Sequence, residues 1–365
     1  MLFSRQVERP IVFPVNFSEF NLTVDLIAVR EAANLINTKQ EIHNLLEFGP
    51  LAPDDPVILV QVHDRWHYLQ HLIESLSRAQ GIERALLIIS HDYYDSQVDF
   101  LPSAIPFCKV MQIFFPYSTQ LFPNQFPGRD PMDCSRDIGK EKAFQVKCLN
   151  AKYSDSYGHY RESKFTQIKH HWWWKINVVM DTLNVTRSHQ GPVLLLEEDY
   201  YVAPDYLSAA RLLLDNKQSR ADRADSVAQF FAMTKERLFF YVFFSRVPTS
   251  STKKKVFCGY DDYNWDLTLT MVARTCLPKG RLAINYSVPR VFHIGDNGIH
   301  TKSKPANETL LKMARGHIQK LGLNDTRQMS LVASTQGDML FPKPSGGWSD
   351  IRDQHLCMAM TRRIP

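Results

Sequence analysis

Three consecutive acidic residues follow directly on an apolar run in the segment VLLLEEDYYVAPDYL. The apolar run predicts a buried strand over residues 193–196, and Glu197, Glu198 and Asp199 come immediately after it. Neighbouring carboxylates repel one another, and removing them from water is costly unless something compensates their charge. A divalent cation with oxygen ligands would do so. Pairing with Arg or Lys is the alternative, and the sequence favours the metal without excluding the pairing.

A cation held by one or two carboxylates keeps coordination positions for phosphate oxygens, and it would stabilise negative charge on a diphosphate leaving group. His293, in the segment RVFHIGD, would add an imidazole ligand. Imidazole suits transition metals better than Mg²⁺, so this histidine favours Mn²⁺. A purely structural role for His293 is the alternative.

A second set of acids, Asp261, Asp262 and Asp266, stands in the segment CGYDDYNWDLTL. If a metal activates one reactant, the other reactant, an acceptor hydroxyl, must still lose its proton to a base. Asp266 lies between Trp265 and an apolar run, so partial desolvation would make it the better base. The spacing alone does not choose among the three carboxylates.

Alternating apolar runs and amphipathic segments must position these groups. The runs PVILVQV, RALLIISHD and CKVMQIFFP predict strands, and the segment beginning at Trp66 predicts a helix. This order predicts βαβ units, an α/β fold and a mostly parallel sheet, with ligands beyond the carboxyl ends of the strands. His63, Asp64, Arg65 and His91-Asp92 are therefore site candidates, and simple strand termination is the alternative.

The segment RESKFTQIKHHWWWKINVVMDTL predicts a long helix. Its three consecutive tryptophans cannot share one face, so the helix is expected to be buried on most sides. Gln167, Lys169, His170 and His171 stand beside them. They are either surface residues or a set of donors for an anionic ligand.

The composition excludes some classes of function. A formal net charge of +5 over 365 residues is too mild for a dedicated nucleic-acid binder. The six cysteines form no CxxC pair, which argues against a zinc ribbon. Sequons of the form N-x-S/T, at Asn16, Asn21, Asn184, Asn285, Asn307 and Asn324, are weak evidence for the secretory pathway, and no apolar run is long enough for a transmembrane segment.

The sequence predicts two parts of the chain. Residues 1–50 are expected to be a peripheral stem with one helix that ends near Gly49, and residues 51–365 a catalytic domain. Residues 217–257 are charged at the start, aromatic in the middle and basic at the end, and they lack a clear strand–turn rhythm.

Five motifs taken together resemble the N-acetylglucosaminyltransferase II family. They are LLLEEDYYVAPDYL, FTQIKHHWWWK, CGYDDYNWDLTL, VPRVFHIGDNGIH and GGWSDIRD, in this order along the chain. The resemblance implies a GT-A glycosyltransferase fold and Mn²⁺-dependent, inverting transfer of GlcNAc from UDP-GlcNAc. The acceptor it implies is the 2-hydroxyl of the α-1,6-arm mannose of an N-glycan on a glycoprotein.

The resemblance also implies roles for individual residues. Asp199 and His293 would be the metal ligands and Asp266 the catalytic base. Two disulfides are implied, Cys134–Cys148 and Cys258–Cys357. The positions that match nucleotide-sugar contacts are Gln61, Val62, His63, Asp64, Arg65, Asp92, Gln167, Ile168, Lys169, His170, His171, Glu197 and Glu198.

Residues 217–257 depart from the family's pattern. An alternative prediction is therefore a catalytically impaired relative that still binds nucleotide sugars or glycans. The family resemblance implies a Golgi-lumen location and type II membrane attachment, through an anchor that this chain lacks.

Overall fold

A five-stranded sheet forms the centre of the molecule. The computed structural model describes residues 25–211, 228–234, 237–243, 251–276, 289–295, 308–321, 344 and 346–360. The sheet order is β1-β4-β3-β2-β5, in which β4, β3, β2 and β5 are parallel and β1 is antiparallel to β4. The strands are β1 Ile42–His43, β2 Val57–Val62, β3 Leu86–His91, β4 Lys109–Phe114 and β5 Val193–Glu197. The predicted α/β class with a mostly parallel sheet is confirmed.

Helices cover both faces of this sheet, and this is why its central strands are apolar without alternation. On one face, Leu69 and Leu72 pack against Val60 and Leu87. On the other face, Trp172 and Trp174 pack near Leu59 and Ile88. The helices before the ribbon described below are α1 Leu26–Lys39, α2 Leu45–Phe48, α3 Trp66–Ser77, α4 Ser96–Phe100, α5 Lys140–Val146 and α6 Ser163–Asn177.

Directly after the acidic residues, the chain forms one strand of a separate two-stranded antiparallel ribbon. Strand β6, Tyr200–Val202, pairs with β9, Val291–His293, and Tyr200 stands opposite His293. The backbone N–H of Ile294 donates to the carbonyl of Asp199 at 2.9 Å. This ribbon therefore brings residue 293 beside residue 199.

The remaining described elements follow the sheet in sequence. Residues 206–211 are helical (α7). An antiparallel hairpin consists of β7 Ala228–Thr234 and β8 Arg237–Phe243. The later helices are α8 Ser251–Gly259, α9 Trp265–Cys276, α10 Thr309–Lys320 and α11 Ile351–Ala359. The hairpin and the start of α8 lie in the stretch 217–257, for which the sequence predicted no regular rhythm.

The N-terminal region differs from the prediction. Its helix ends at Lys39, because Gln40 adopts a left-handed conformation (φ 46°), and a short strand follows. The side-chain amide of Asn37 bonds both the N–H and the carbonyl of Phe114, and β1 pairs with the same strand β4. The segment before residue 50 therefore supplies the edge strand β1 of the sheet, and α1 is bonded to β4. The division of the chain at residue 50 stays a prediction.

Two disulfides join segments around the sheet. Cys134 is bonded to Cys148 and Cys258 to Cys357, the two pairs that the family resemblance implied. Cys108 and Cys276 are free. None of the helices in the described part of the chain is both long and apolar enough to cross a membrane.

Candidate active site

The strand order defines where a ligand would bind. The chain passes from β2 outward to β3 and β4, then crosses to the other side of β2 to form β5. The carboxyl ends of β2 and β5 are adjacent at this point of reversal, where open α/β sheets bind their ligands. Gln61 pairs with Glu197 in register, so the residues that follow each strand meet at one edge.

Arg65 compensates two of the three acids at this edge, which we call the acid cluster (Glu197, Glu198 and Asp199). Its Nε donates to Oε1 of Glu198 at 2.6 Å, and its Nη1 donates to Oδ2 of Asp199 at 2.8 Å. The other Glu198 oxygen accepts the backbone N–H of His63 at 2.7 Å. Pairing with arginine, one of the two alternatives left open by the sequence, is therefore present.

Asp199 also stands next to His293. Its Oδ2 lies 3.1 Å from Nε2 of His293, whereas its Oδ1 is buried and has no hydrogen-bond partner among the residues that the structure describes. Gly295 leaves the room for this carboxylate, because a Cβ at position 295 would be 2.4 Å from Oδ2 of Asp199.

The pKa values of the three carboxyl groups of the acid cluster are shifted in different directions by their surroundings. Burial would raise the pKa of Asp199, but the charge of Arg65 and the contact with His293 hold it well below its ordinary value. Burial raises the pKa of Glu198 to about 7, although Arg65 opposes the shift. Burial and the charge of Asp199 raise the pKa of Glu197, against the opposing charge of Lys175. Asp199 is therefore the member of the cluster that stays most firmly ionised.

Asp199 and His293 fit a pair of ligands for a transition metal. Adjacent ligand atoms about 2.1 Å from an octahedral ion stand about 3 Å apart, and the observed separation between Oδ2 and Nε2 is 3.1 Å. The unpartnered Oδ1 of Asp199 is a further oxygen donor, and one carboxylate with one imidazole suits Mn²⁺. Among the described residues no group of three or more His, Cys, Asp or Glu is arranged around one metal position. Substrate or water would therefore supply the other ligands.

A chain of buried polar contacts ends at His63, beside the acid cluster. Oδ1 of Asp92 contacts Nδ1 of His63 at 2.5 Å, and Oδ2 of Asp92 contacts Nδ1 of His171 at 3.0 Å. The Oγ of Ser90 lies 2.7 Å from the other His171 ring nitrogen. Burial would lower the pKa of His63, but Asp92 raises it to about 9. The imidazole of His63, whose side chain is 45% exposed, therefore carries a positive charge at neutral pH.

Asp266 lies in the first turn of α9, next to Trp265. The indole Nε1 of Trp265 donates to Oε1 of Glu197 at 3.2 Å, which connects this helix to the acid cluster. Burial raises the pKa of Asp266, as expected for a carboxylate that accepts a proton. Asp261 and Asp262 have structural contacts instead: Oδ1 of Asp261 accepts the N–H of Trp348, and Oδ1 of Asp262 accepts the N–H of Asn264.

Two of the predicted ligand-binding residues of α6 make hydrogen bonds to other groups of the protein. Lys169 is fully buried, and its Nζ donates to the carbonyls of Tyr260 and Asp262 at 2.9 and 2.8 Å. His170 is also buried, and its Nε2 lies 2.8 Å from Oδ1 of Asp353. These contacts attach α6 to the segment before α9 and to α11. They do not support the predicted role of Lys169 and His170 in binding the nucleotide.

The other predicted binding residues lie in varied surroundings. Gln167 is buried and accepts the backbone N–H of Thr119, whereas Ile168 is half-buried. Val62 is buried inside the sheet and Asp64 is exposed. The side-chain oxygen of Gln61 is buried, and no group in the described part of the chain bonds to it. A role in ligand binding stays a prediction for these five residues.

Sequence reasoning missed three residues that shape the site. Gly295 makes room for Asp199, and Trp265 connects the acid cluster to α9. Lys175 is fully buried, and burial lowers its pKa to about 7 although Glu197 and Asp92 oppose the shift. A lysine four residues after His171, within an aromatic helix, was the one available signal for Lys175.

Comparison with known proteins adds to this geometry. The family model of N-acetylglucosaminyltransferase II (MGAT2) matches residues 30–242 and 242–357. The chain belongs to the N-acetylglucosaminyltransferase II family. Within it, the alpha-1,6-mannosyl-glycoprotein 2-beta-N-acetylglucosaminyltransferase of Sus scrofa is 38% identical over 94% of this chain and 80% of its own length. The protein of the same name from Arabidopsis thaliana is 31% identical over 85% of this chain and 76% of its own length.

A structural likeness is much weaker than the family match. The apo form of mouse xyloside xylosyltransferase 1 matches with a TM-score of 0.29 and 12% identity, over 59% of this chain and 74% of that chain. Similarity at this level says nothing about function. The two segments matched by the family model share residue 242, so together they include the whole stretch 217–257, in which the sequence motifs alone showed no family pattern.

Proposed function

We propose that this chain transfers GlcNAc from UDP-GlcNAc to the 2-hydroxyl of the α-1,6-arm mannose of an N-glycan, with inversion and with Mn²⁺. Membership of the family and the names of its relatives support the transfer of GlcNAc to this mannose. The observation that carries the proposal is the meeting of an ionised Asp199, His293 and the Asp266-bearing helix at one edge of the sheet.

Each group has a defined task in the reaction. Asp199 and His293 would hold Mn²⁺, which supplies positive charge to the diphosphate when it is bound. His63 and Arg65 bring two further positive charges to the same edge. Asp266 takes the proton from the mannose 2-hydroxyl. The mannose oxygen then forms a bond to the anomeric carbon of GlcNAc from the opposite face, and the bond from that carbon to the β-phosphate oxygen breaks to release UDP.

The test is a transfer assay. Purified protein with Mn²⁺, UDP-GlcNAc and a mannose-terminated N-glycan is expected to give a product heavier by one GlcNAc in mass spectrometry, and EDTA is expected to stop the reaction. Asp266→Asn is expected to keep its affinity for UDP but to lose turnover by about 10²–10⁴-fold. Absence of product from folded wild-type protein contradicts the transferase, and an unimpaired Asp266→Asn variant removes the base assignment.

A nucleotide-sugar-binding protein without transfer activity is the second candidate. The motifs of the sequence motivate it, since none of the five family motifs lies within residues 217–257, although the family model also matches this stretch. Calorimetry that detects Mn²⁺-dependent UDP binding, together with a transfer assay that gives no product, would support this candidate instead.

A further inference from the structure

The three consecutive tryptophans of α6 have no role in the chemistry described so far. All three are buried, with exposed fractions of 1% for Trp172, 6% for Trp173 and 2% for Trp174. Their contacts nevertheless differ. Trp173 stacks on Phe257, with ring centroids 4.2 Å apart, and Trp174 contacts the edge of Phe115. Trp172 stacks on Trp265, the residue next to Asp266.

The indole rings of Trp172 and Trp265 are nearly parallel. Their centroids are 4.6 Å apart and their planes differ by 10°. Stacked aromatic pairs in this range of distances contribute attraction beyond the area they bury. The face of the Trp265 ring is therefore fixed against α6, a helix that packs directly on the sheet.

The edge of Trp265 is fixed separately. Its Nε1–H donates to Oε1 of Glu197, the first member of the acid cluster, at 3.2 Å. The segment before α9 is anchored as well, since Lys169 of α6 holds the carbonyls of Tyr260 and Asp262. Trp265 thus has one contact with the helix that carries the tryptophans and one with the strand end that carries the acids.

Asp266 directly follows Trp265 in the first turn of α9. An indole fixed on its face and on its edge determines where this turn begins, and hence where the Asp266 carboxylate lies relative to the acid cluster. A displacement of about 1 Å in a reacting group costs about a hundredfold in rate. We propose that Trp172 and Trp265 are positioning residues that set the distance between the base Asp266 and the acid cluster. This inference rests on the proposed function, because it takes Asp266 as the base.

The first test removes one contact at a time. Trp265→Phe keeps an aromatic ring for the stack but removes the N–H donor to Glu197. We expect its kcat to fall at least about tenfold, while the Kd for UDP and the KM for UDP-GlcNAc change less than about twofold. Trp172→Leu removes the stack and is expected to lower kcat in the same way. Trp173→Leu is the matched control: Trp173 is buried in the same helix and stacks on Phe257 as Trp172 does, so its removal tests the contact with Phe257 separately from the stack of Trp172 on Trp265. Thermal unfolding of each variant verifies that it is folded.

The second test distinguishes positioning from a merely structural role. If Trp265 acts through Asp266, the double variant Trp265→Phe/Asp266→Asn has the same residual turnover as Asp266→Asn alone. A further tenfold loss in the double variant overturns the inference. So does a Trp265→Phe variant that keeps its full kcat, or a Trp173→Leu variant that loses as much as Trp172→Leu. An inactive wild-type protein contradicts the proposed function itself, and this outcome is distinct from all three.

Discussion

The carboxylate of Asp199 lies directly against the α-carbon of Gly295. A methyl group at position 295 would be 2.4 Å from Oδ2 and 3.0 Å from the carboxyl carbon of Asp199. A side-chain carbon does not remain this close to an oxygen to which it is not bonded, so any side chain at position 295 must displace the carboxylate. The glycine two residues after His293 is thus part of the same site as the histidine.

Gly295→Ala is therefore expected to weaken the binding of Mn²⁺. Displacement of a ligating carboxylate by its neighbour typically costs about 10–100-fold in metal affinity, and titration calorimetry with MnCl₂ measures it. Gly316→Ala is the matched control, because a methyl group there, in α10, meets no atom within 4 Å. The control should keep its metal affinity and gain about 0.5–1 kcal/mol of stability. Equal affinities of Gly295→Ala and wild type would remove Gly295 from the site.

Arg65 is expected to stabilise the folded protein through the acid cluster. Arg65→Gln leaves Glu198 and Asp199 buried without their cation, and the loss of one partner of a buried ion pair costs about 3–5 kcal/mol. Denaturation by urea measures the change in the free energy of unfolding. The double variant Arg65→Gln/Glu198→Gln removes one negative charge along with the cation, so it should recover part of the loss. A single variant as stable as wild type would show that this ion pair contributes nothing.

The charge of His63 predicts how the affinity for UDP depends on pH. Asp92 contacts the ring, Asp64 and Glu198 also favour the charged form, and Tyr93 packs against it edge-on. Because the pKa of His63 is raised to about 9, the ring loses its positive charge only as the pH rises through that value. We expect metal-free UDP binding to weaken between about pH 8 and pH 10, and His63→Gln to abolish this dependence. An unchanged slope in the variant would assign the titration to another group.

The raised pKa of His63 also makes the free energy of unfolding depend on pH. The direction of this dependence follows from the difference in pKa between the folded and the unfolded chain. The pKa of His63 is higher in the folded protein, about 9, than in an unfolded chain, about 6.5. Its contribution to stability is therefore fully present below about pH 6.5 and disappears as the pH rises through about 9. A urea titration at several pH values should show this decrease in wild type and a smaller one in His63→Gln.

The two disulfides are expected to differ in their effect on stability. Cys258 and Cys357 are separated by 99 residues, whereas Cys134 and Cys148 are separated by 14. Loop-closure entropy predicts a loss of about 4.7 kcal/mol for a loop of about 100 residues and about 3 kcal/mol for one of about 15. The variant Cys258→Ala/Cys357→Ala should thus be the less stable of the two double variants in chemical denaturation. The reverse order would show that the native packing around each bridge outweighs chain entropy.

Much of the fold could be predicted because the sheet is buried on both faces. Strands such as Val57–Val62 and Leu86–His91 are continuous apolar runs, and the polar residues just after them lie at the site edge as expected. The prediction was wrong at the N-terminus, where apolar residues at helical spacing continued past Lys39. A two-residue strand such as Ile42–His43 has no periodicity of its own, so only its pairing with β4 defines it.

The sequence predicted which residue types belong to the site better than it predicted the contacts that these residues make. The acids, His293 and Asp266 each stand out by their chemistry; the structure brings Asp199 and His293 into contact, and Trp265, the neighbour of Asp266, into contact with Glu197. Lys169 and His170 also have the chemistry of ligand-binding residues, but Nζ of Lys169 bonds two backbone carbonyls and Nε2 of His170 bonds Asp353 inside the protein. No local pattern reports which way a side chain of a fully buried helix points. The partners of these two residues are 91 to 183 positions away in the sequence.

The ion pairs of Arg65 with Glu198 and Asp199 can form while the chain is still being synthesised. Arg65 and Asp199 are 134 residues apart, yet both leave the ribosome before Asp266 and His293. A partly synthesised chain can therefore pair Glu198 and Asp199 with its own arginine. Such an intermediate is spared the full repulsion between these two carboxylates, whereas the contact of Asp199 with His293 forms only once β9 has been synthesised and has paired with β6.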